Sequence, residues 1–258
     1  MTFFTATQME LLKIRKSKMI WITLVIFTIA PLMAGFFIFV LKNPELAKNS
    51  GLIGDKAQIF GVADWPAYLS MLAQIIAVGG ILVFGFVTSW VFGREYADRT
   101  IKDLMTLPSH RIVIILAKFL AVFLTNFLLS VYVVLLGVII GLLIQLPQFS
   151  YEIVVEGGFN LMVTTILTLT LSTLPAFFAC YGKGYLAPIG FILFMVVLAQ
   201  IIAAAGYGEF FPWAVPAIFS GMTGPGPSLG IGSFLLVYLT GIVGLAATVS
   251  WWMYADQH

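Results

Sequence analysis

The sequence predicts an all-α integral membrane protein of six transmembrane helices, with an N-terminal interfacial helix and a short cytoplasmic helix between spans two and three. Two observations carry this. Of 258 residues, 61% are hydrophobic and only 9% charged, with a mean hydropathy of +1.06; soluble domains carry about 45–50% apolar and about 25% charged residues. The apolar residues also gather in six stretches, each reaching the roughly 20 residues needed to cross a 30 Å hydrocarbon slab. Lipid offers no partner to a free backbone amide, so such stretches are helices. The ten-residue alternating segments of a membrane barrel are absent.

Taken in order, the spans lie at about 19–41, 69–92, 112–146, 159–180, 186–206 and 233–254, all within one transmembrane domain over 1–258. Residues 1–18 precede the first, with Phe4, Leu11 and Leu12 at helical spacing and then Lys13, Arg15, Lys16 and Lys18. That pattern predicts an amphipathic helix on a leaflet surface. The run after it is too long for a signal peptide and lacks a small-residue cleavage site, so it reads as an anchor. The third stretch has 35 residues and would reach roughly 52 Å, so its start is expected to project from the membrane or break. Lys118 would then lie at the interface or snorkel to it.

Orientation follows from the bases. With the N-terminus inside, Lys13, Arg15, Lys16, Lys18, Arg94, Arg99, Lys102, Arg111, Lys118 and Lys183 face the cytoplasm, and only Lys42, Lys48 and Lys56 lie outside. This is the positive-inside distribution, with both termini cytoplasmic. Trp21, Trp90, Trp251 and Trp252 fall at inner helix ends and Trp65 and Trp213 at outer ones, as an aromatic belt would place them. The expected location is a bacterial inner membrane. A net charge of +2 gives no reason to expect nucleic acid as a partner. The single cysteine, Cys180, allows no internal disulfide and reads as a small buried thiol.

The inner segment Gly93–Arg111 is the most informative. Glu95 and Arg99, and Asp98 and Lys102, stand as acid-before-base pairs at i,i+4, the orientation that supports a helix. Ala97, Ile101 and Leu104 recur on the other face. Pro108 ends the pattern and Ser109 can cap the next helix. A stiff helix over 94–108 could carry force from a soluble partner; equally, a polar hairpin would satisfy the positive-inside rule.

Glu95 after span two, Thr100, Leu104-Met105, Pro108, Arg111, and Lys118 early in span three together resemble the permeases of the ABC-2 family. The run from Phe92-Gly93-Arg94-Glu95-Tyr96-Ala97 to Lys118-Phe119 is most similar to the bacitracin-resistance, peptide-antibiotic-exporting type. One departure is Arg99, where the family often has glycine before the threonine. The resemblance implies a half-transporter: two permease chains, as a homodimer or with a similar permease, each joined to a separate ATPase. Contact would run through the coupling helix, here Glu95, Tyr96, Ala97, Asp98, Arg99, Thr100, Ile101, Lys102, Asp103 and Leu104. ATP and magnesium would be bound by that partner, and the chain needs no cofactor of its own. Consistently, it contains no Gly-x-x-x-x-Gly-Lys-Ser/Thr phosphate loop, and Gly182-Lys183-Gly184 is an inner turn. The resemblance further places spans two and five along the translocation path, where Gln74, Thr88 and Gln200 are polar.

Other features read less sharply. Apart from Lys118 the spans carry almost no charge, which favours an amphipathic or lipid-like cargo over ions, although an exporter of ions or small solutes stays open. Thr164, Thr168 and Ser172 share a face of span four before Pro175, where backbone bonding or helix packing competes with cargo contact. Gly137 and Gly141 fit a small-x-x-x-small contact. Tyr207–Ser220, within the outer segment 207–232, is aromatic and broken by Pro212 and Pro216, as a re-entrant gate or an interfacial belt would be. An intramembrane enzyme would need clustered histidine and acid, and the two histidines are His110 and His258. No catalytic or metal site is therefore expected. A non-transporting immunity or scaffold protein remains the alternative of another class.

Overall fold

The computed structural model describes residues 2–43, 63–101, 104, 110–222 and 229–255. Among them the protein is helical. α1 (Phe3–Lys16) is capped by Thr2, whose hydroxyl accepts from the Thr5 N–H, and ends at an extended Ser17 before α2 (Lys18–Lys42). α3 (Trp65–Ala97) starts at Asp64, whose carboxylate accepts from the Ala67 N–H at 2.9 Å, with Pro66 in the first turn where a missing N–H costs nothing. α4 (Arg111–Leu143) follows, then α5 (Tyr151–Leu171) and α6 (Thr173–Tyr181), which together make one bent span, and α7 (Leu186–Ala204). A 3₁₀ turn at Gly208–Phe210 and the short α8 (Val215–Phe219) precede α9 (Ile231–Tyr254). Six of these runs are long and apolar enough to cross a membrane.

α3 is the hub. It packs against α2, α4, α5, α6 and α7, and buries Tyr68, Leu72, Ile76, Phe84, Val87 and Phe92. Enclosure on all sides requires thin contacts. Gly80 lies against Thr168 of α5 and Gly85 against Ile192 of α7. Gly137 and Gly141 of α4 face Leu72 and Trp65 of α3, so this pair forms a seam within the chain. α9 closes on the bent span in the same way, Gly241 against Thr170 and Gly244 against Thr173 and Leu174.

The bend itself comes from Pro175, which has no N–H to offer the carbonyl four residues earlier. Hydroxyls serve carbonyls beside it: Ser172 donates to Leu169 O at 2.7 Å, and Thr173 donates to Thr170 O and to Gly241 O of α9, both at 2.9 Å. Thr168 likewise donates to Thr164 O. On the hydroxyl face of span four, Thr168 and Ser172 thus bond backbone, while Thr164 donates to Asn160 Oδ1 at 3.3 Å.

Several expectations are corrected. Of the two outcomes expected for the third stretch, a break does not occur: α4 runs unbroken through 33 residues. Lys118 does not snorkel; it is fully buried. Trp65 and Trp252 are core residues rather than belt residues, and the Trp252 indole N–H donates to the buried Cys180 Sγ at 3.0 Å. α5 begins at Tyr151, two turns before the expected span, where Ser150 caps the Ile153 N–H; Glu152 and Glu156 of these turns are exposed.

Candidate functional site

Among the described residues, a buried charged cluster and an apolar cleft are the candidate sites of this scaffold. The first lies where α1, α3 and α4 meet. A lysine buried in an apolar helix demands partners, and Lys118 Nζ donates to Glu95 Oε1 at 2.8 Å, Glu10 Oε2 at 3.1 Å and Val91 O at 3.2 Å. Lys13 completes the ring, donating to Glu10 Oε1 at 2.6 Å and Glu95 Oε1 at 3.3 Å. Arg94 approaches Glu95 at 3.9 Å and lies over the Trp90 ring at 4.8 Å. Glu95 Oε2 has no hydrogen-bond partner among the described residues.

α1 supplies its half through helical spacing. Ala6, Thr7, Glu10 and Ile14 form the face turned to α4, while Phe4, Met9 and Leu12 are exposed on the other. The acid thus sits in the middle of the buried stripe, aimed at Lys118.

Immediately beyond Glu95 the helix stops, so the expected continuous helix over 94–108 is not formed. α3 ends at Ala97 with Asp98 as its cap. Thr100 N–H donates to Glu95 O at 2.9 Å and Arg99 N–H to Tyr96 O at 3.2 Å. Arg99 has a φ of +59°, and this pair of bonds with a left-handed residue is the Schellman termination. This left-handed position is one that glycine occupies without strain and arginine does not. Ile101 and Leu104 are helical again, and Leu104 N–H donates to Thr100 O at 3.1 Å. The predicted Glu95–Arg99 pair is therefore absent among the described residues: Glu95 points into the core while Arg99 turns out of the helix. Ala97, Asp98, Arg99 and Thr100 are exposed, Tyr96 and Leu104 half-buried, and Ile101 buried. Lys102 and Asp103, with Met105–Ser109, lie outside the described residues.

The second place is a cleft of about 420 Å³ between α3 and α7, walled by Val78, Ile81, Ala199, Gln200, Ala203 and Trp213. Gln200 is the amide in this otherwise apolar wall. Gln74 sits one turn before Val78 on α3 but donates to Ser70 Oγ at 3.2 Å. Thr88 is buried and donates to Phe84 O at 2.8 Å. Of the three polar residues expected along a path, Gln200 lines this cleft and Gln74 and Thr88 do not. Ser70 Oγ also donates to Ser220 O, tying α3 to the hairpin of α8 that floors the cleft.

Residues 6–199 match the family model for ABC-2 family transporter proteins. The chain belongs to that family. A bacitracin transport permease protein of Bacillus licheniformis is 30% identical over 187 residues, covering 71% of this chain and 88% of that protein. As an ABC-2 permease, the chain is a multi-pass membrane subunit of a transporter and carries no ATPase phosphate loop. The match begins within α1, at residue 6, and includes all four residues of the charged ring. Sequence reasoning missed Glu10 and Lys13 as members of that ring. The available signal was Lys118 itself, a lone in-span charge whose partner had to be sought.

Proposed function

We propose that this ABC-2 permease is the membrane half of an ATP-driven exporter, moving an amphipathic peptide antibiotic or lipid-like compound out of the cell or out of the membrane. The observation that supports this best is the ring of Glu10, Lys13, Glu95 and Lys118, which fastens the last turn of α3 to α4 and α1 next to an exposed helix end at Ala97–Thr100. A push on that end is delivered to three helices at once, because none can shift without separating buried charges. The segment from Glu95 to Leu104 would meet a separate ATPase, two per complex, which binds ATP and magnesium. Two permease copies, or this chain and a similar one, would enclose the path. The end bearing the ring would face the cytoplasm of a bacterial inner membrane, with α1 along the inner leaflet. Closure of the ATPase pair would then open the α3–α7 side outward. The apolar cleft with its single amide suits an amphipathic cargo better than an ion.

Inverted membrane vesicles test this. Vesicles holding the permease and its ATPase should accumulate a peptide antibiotic only with hydrolysable ATP. Vesicles holding the permease alone should not. Uptake that is equal with and without the ATPase, or that is absent in both while the chain still protects cells, would refute the reading.

A further inference from the structure

A groove of about 330 Å³ runs between α1, α2 and α4 and shares no lining residue with the α3–α7 cleft. Its floor is Ile14, Thr125 and Leu129, all buried, and its walls are Leu11, Ile20, Leu24 and Leu128. One charged side chain lines it, Arg15, which is exposed. Leu128 is 63% exposed at the opposite wall, so the groove opens outward.

Charge is distributed unevenly at the corner where α1 becomes α2. Lys13 is committed to Glu10 and Glu95. Arg15, Lys16 and Lys18 are exposed, and none pairs with an acid among the described residues. Arg15 is thus an uncompensated base on the wall of an apolar slot, and Lys16 and Lys18 add two more charges within the next three residues of chain. The Ser17 hydroxyl between them donates to Ile14 O at 2.7 Å and brings no negative charge to that corner. An apolar slot with a positive rim, on a helix that lies beside two spans, matches an anionic lipid: acyl chain against Leu24 and Leu128, headgroup phosphate at Arg15.

We infer that the α1–α2–α4 groove is a binding site for one anionic phospholipid, held by Arg15 at its headgroup, with Lys16 and Lys18 adding to the positive field nearby. The site is independent of the cargo reading. It docks a lipid along α1 beside the stripe that carries Glu10, so an occupied groove backs the helix that closes the charged ring.

The purified full-length permease, delipidated in a mild detergent, is titrated with phosphatidylglycerol and with phosphatidylcholine and read by native mass spectrometry. One phosphatidylglycerol should be retained, at least fivefold more strongly than phosphatidylcholine. The combined variant Arg15→Gln, Lys16→Gln, Lys18→Gln should abolish that preference. Leu128→Trp, a change at an exposed wall, should also reduce retention severalfold by filling the slot while leaving the bases intact. Equal retention of both lipids overturns the proposal. So does loss in the charge variant without loss in Leu128→Trp, which would mean a diffuse attraction to anionic surface. Efficient disulfide linkage between two copies carrying Leu128→Cys would assign the groove to a second chain instead.

Discussion

Glu95, in the last turn of α3, and Lys118, in the second turn of α4, meet at 2.8 Å with both side chains out of reach of solvent. Glu10 reaches the same ammonium from a third helix at 3.1 Å. A charge enclosed like this is held in place by its partners, and removing one of them strands the rest.

Lys118→Met should therefore destabilise the protein by about 3–5 kcal/mol, the cost typical of leaving buried charges unpaired. Adding Glu10→Gln and Glu95→Gln to that variant should recover a large part of the loss. Thermal unfolding of the detergent-solubilised chain, followed by retention on a sizing column, measures both steps. No recovery would mean that Lys118 matters through packing alone.

Arg99 stands at φ +59° where the chain turns out of α3. Left-handed backbone costs a non-glycine residue about 1–2 kcal/mol, and glycine gives back part of that through its freer unfolded chain. Arg99→Gly should thus stabilise by about 0.5–1 kcal/mol, and Arg99→Ile should destabilise. Hydrogen exchange at the Thr100 amide, which closes the Schellman turn on Glu95 O, reports the change locally.

A Cβ at Gly141 would lie 2.7 Å from the Trp65 ring, whereas one at Gly79 would meet nothing within 4 Å. Gly141→Val should cost about 1–3 kcal/mol through overpacking. Gly79→Ala should leave stability unchanged or slightly raised, since alanine favours the helix. Parallel melting curves distinguish the two sites.

Gln200 is the polar group in the cleft wall, while Gln74 and Thr88 are bonded within α3. Gln200→Leu is expected to change which compounds are exported, severalfold in their resistance ratios, with total protein unaltered. Thr88→Val is expected to leave that spectrum as it was. A drug panel on cells expressing each variant decides between them.

The sequence made the six apolar spans and the family resemblance legible, because lipid imposes length and composition on every span. The glycine seam at Gly137 and Gly141 was also visible, though not whose helix it would touch. What hid the charged ring is distance along the chain: Glu10 and Lys118 are joined by a fold in which α1 lies back on α4, and no periodicity encodes that. The i,i+4 pairing of Glu95 with Arg99 misled for a physical reason. A local charge pattern supports a helix by about 0.2–0.5 kcal/mol per pair, which is small beside the demand of Lys118 for a buried counter-charge. Trp65 and Trp252 were misplaced in the same way, since position near a helix end does not say which side faces the core.

The relay from an outside motor into α3 rests on contact at the exposed helix end. Thr100→Cys provides a single accessible thiol there, because Cys180 is buried. With a short bifunctional reagent in native membranes, the expected product is an adduct with a nucleotide-hydrolysing subunit whose yield changes severalfold between nucleotide-free and ATP-trapped states. A control thiol at Tyr207, exposed beyond the far end of α7, should give none. If Thr100→Cys forms no such adduct, or if Tyr207→Cys forms the same one, the motor does not act at this end of the molecule.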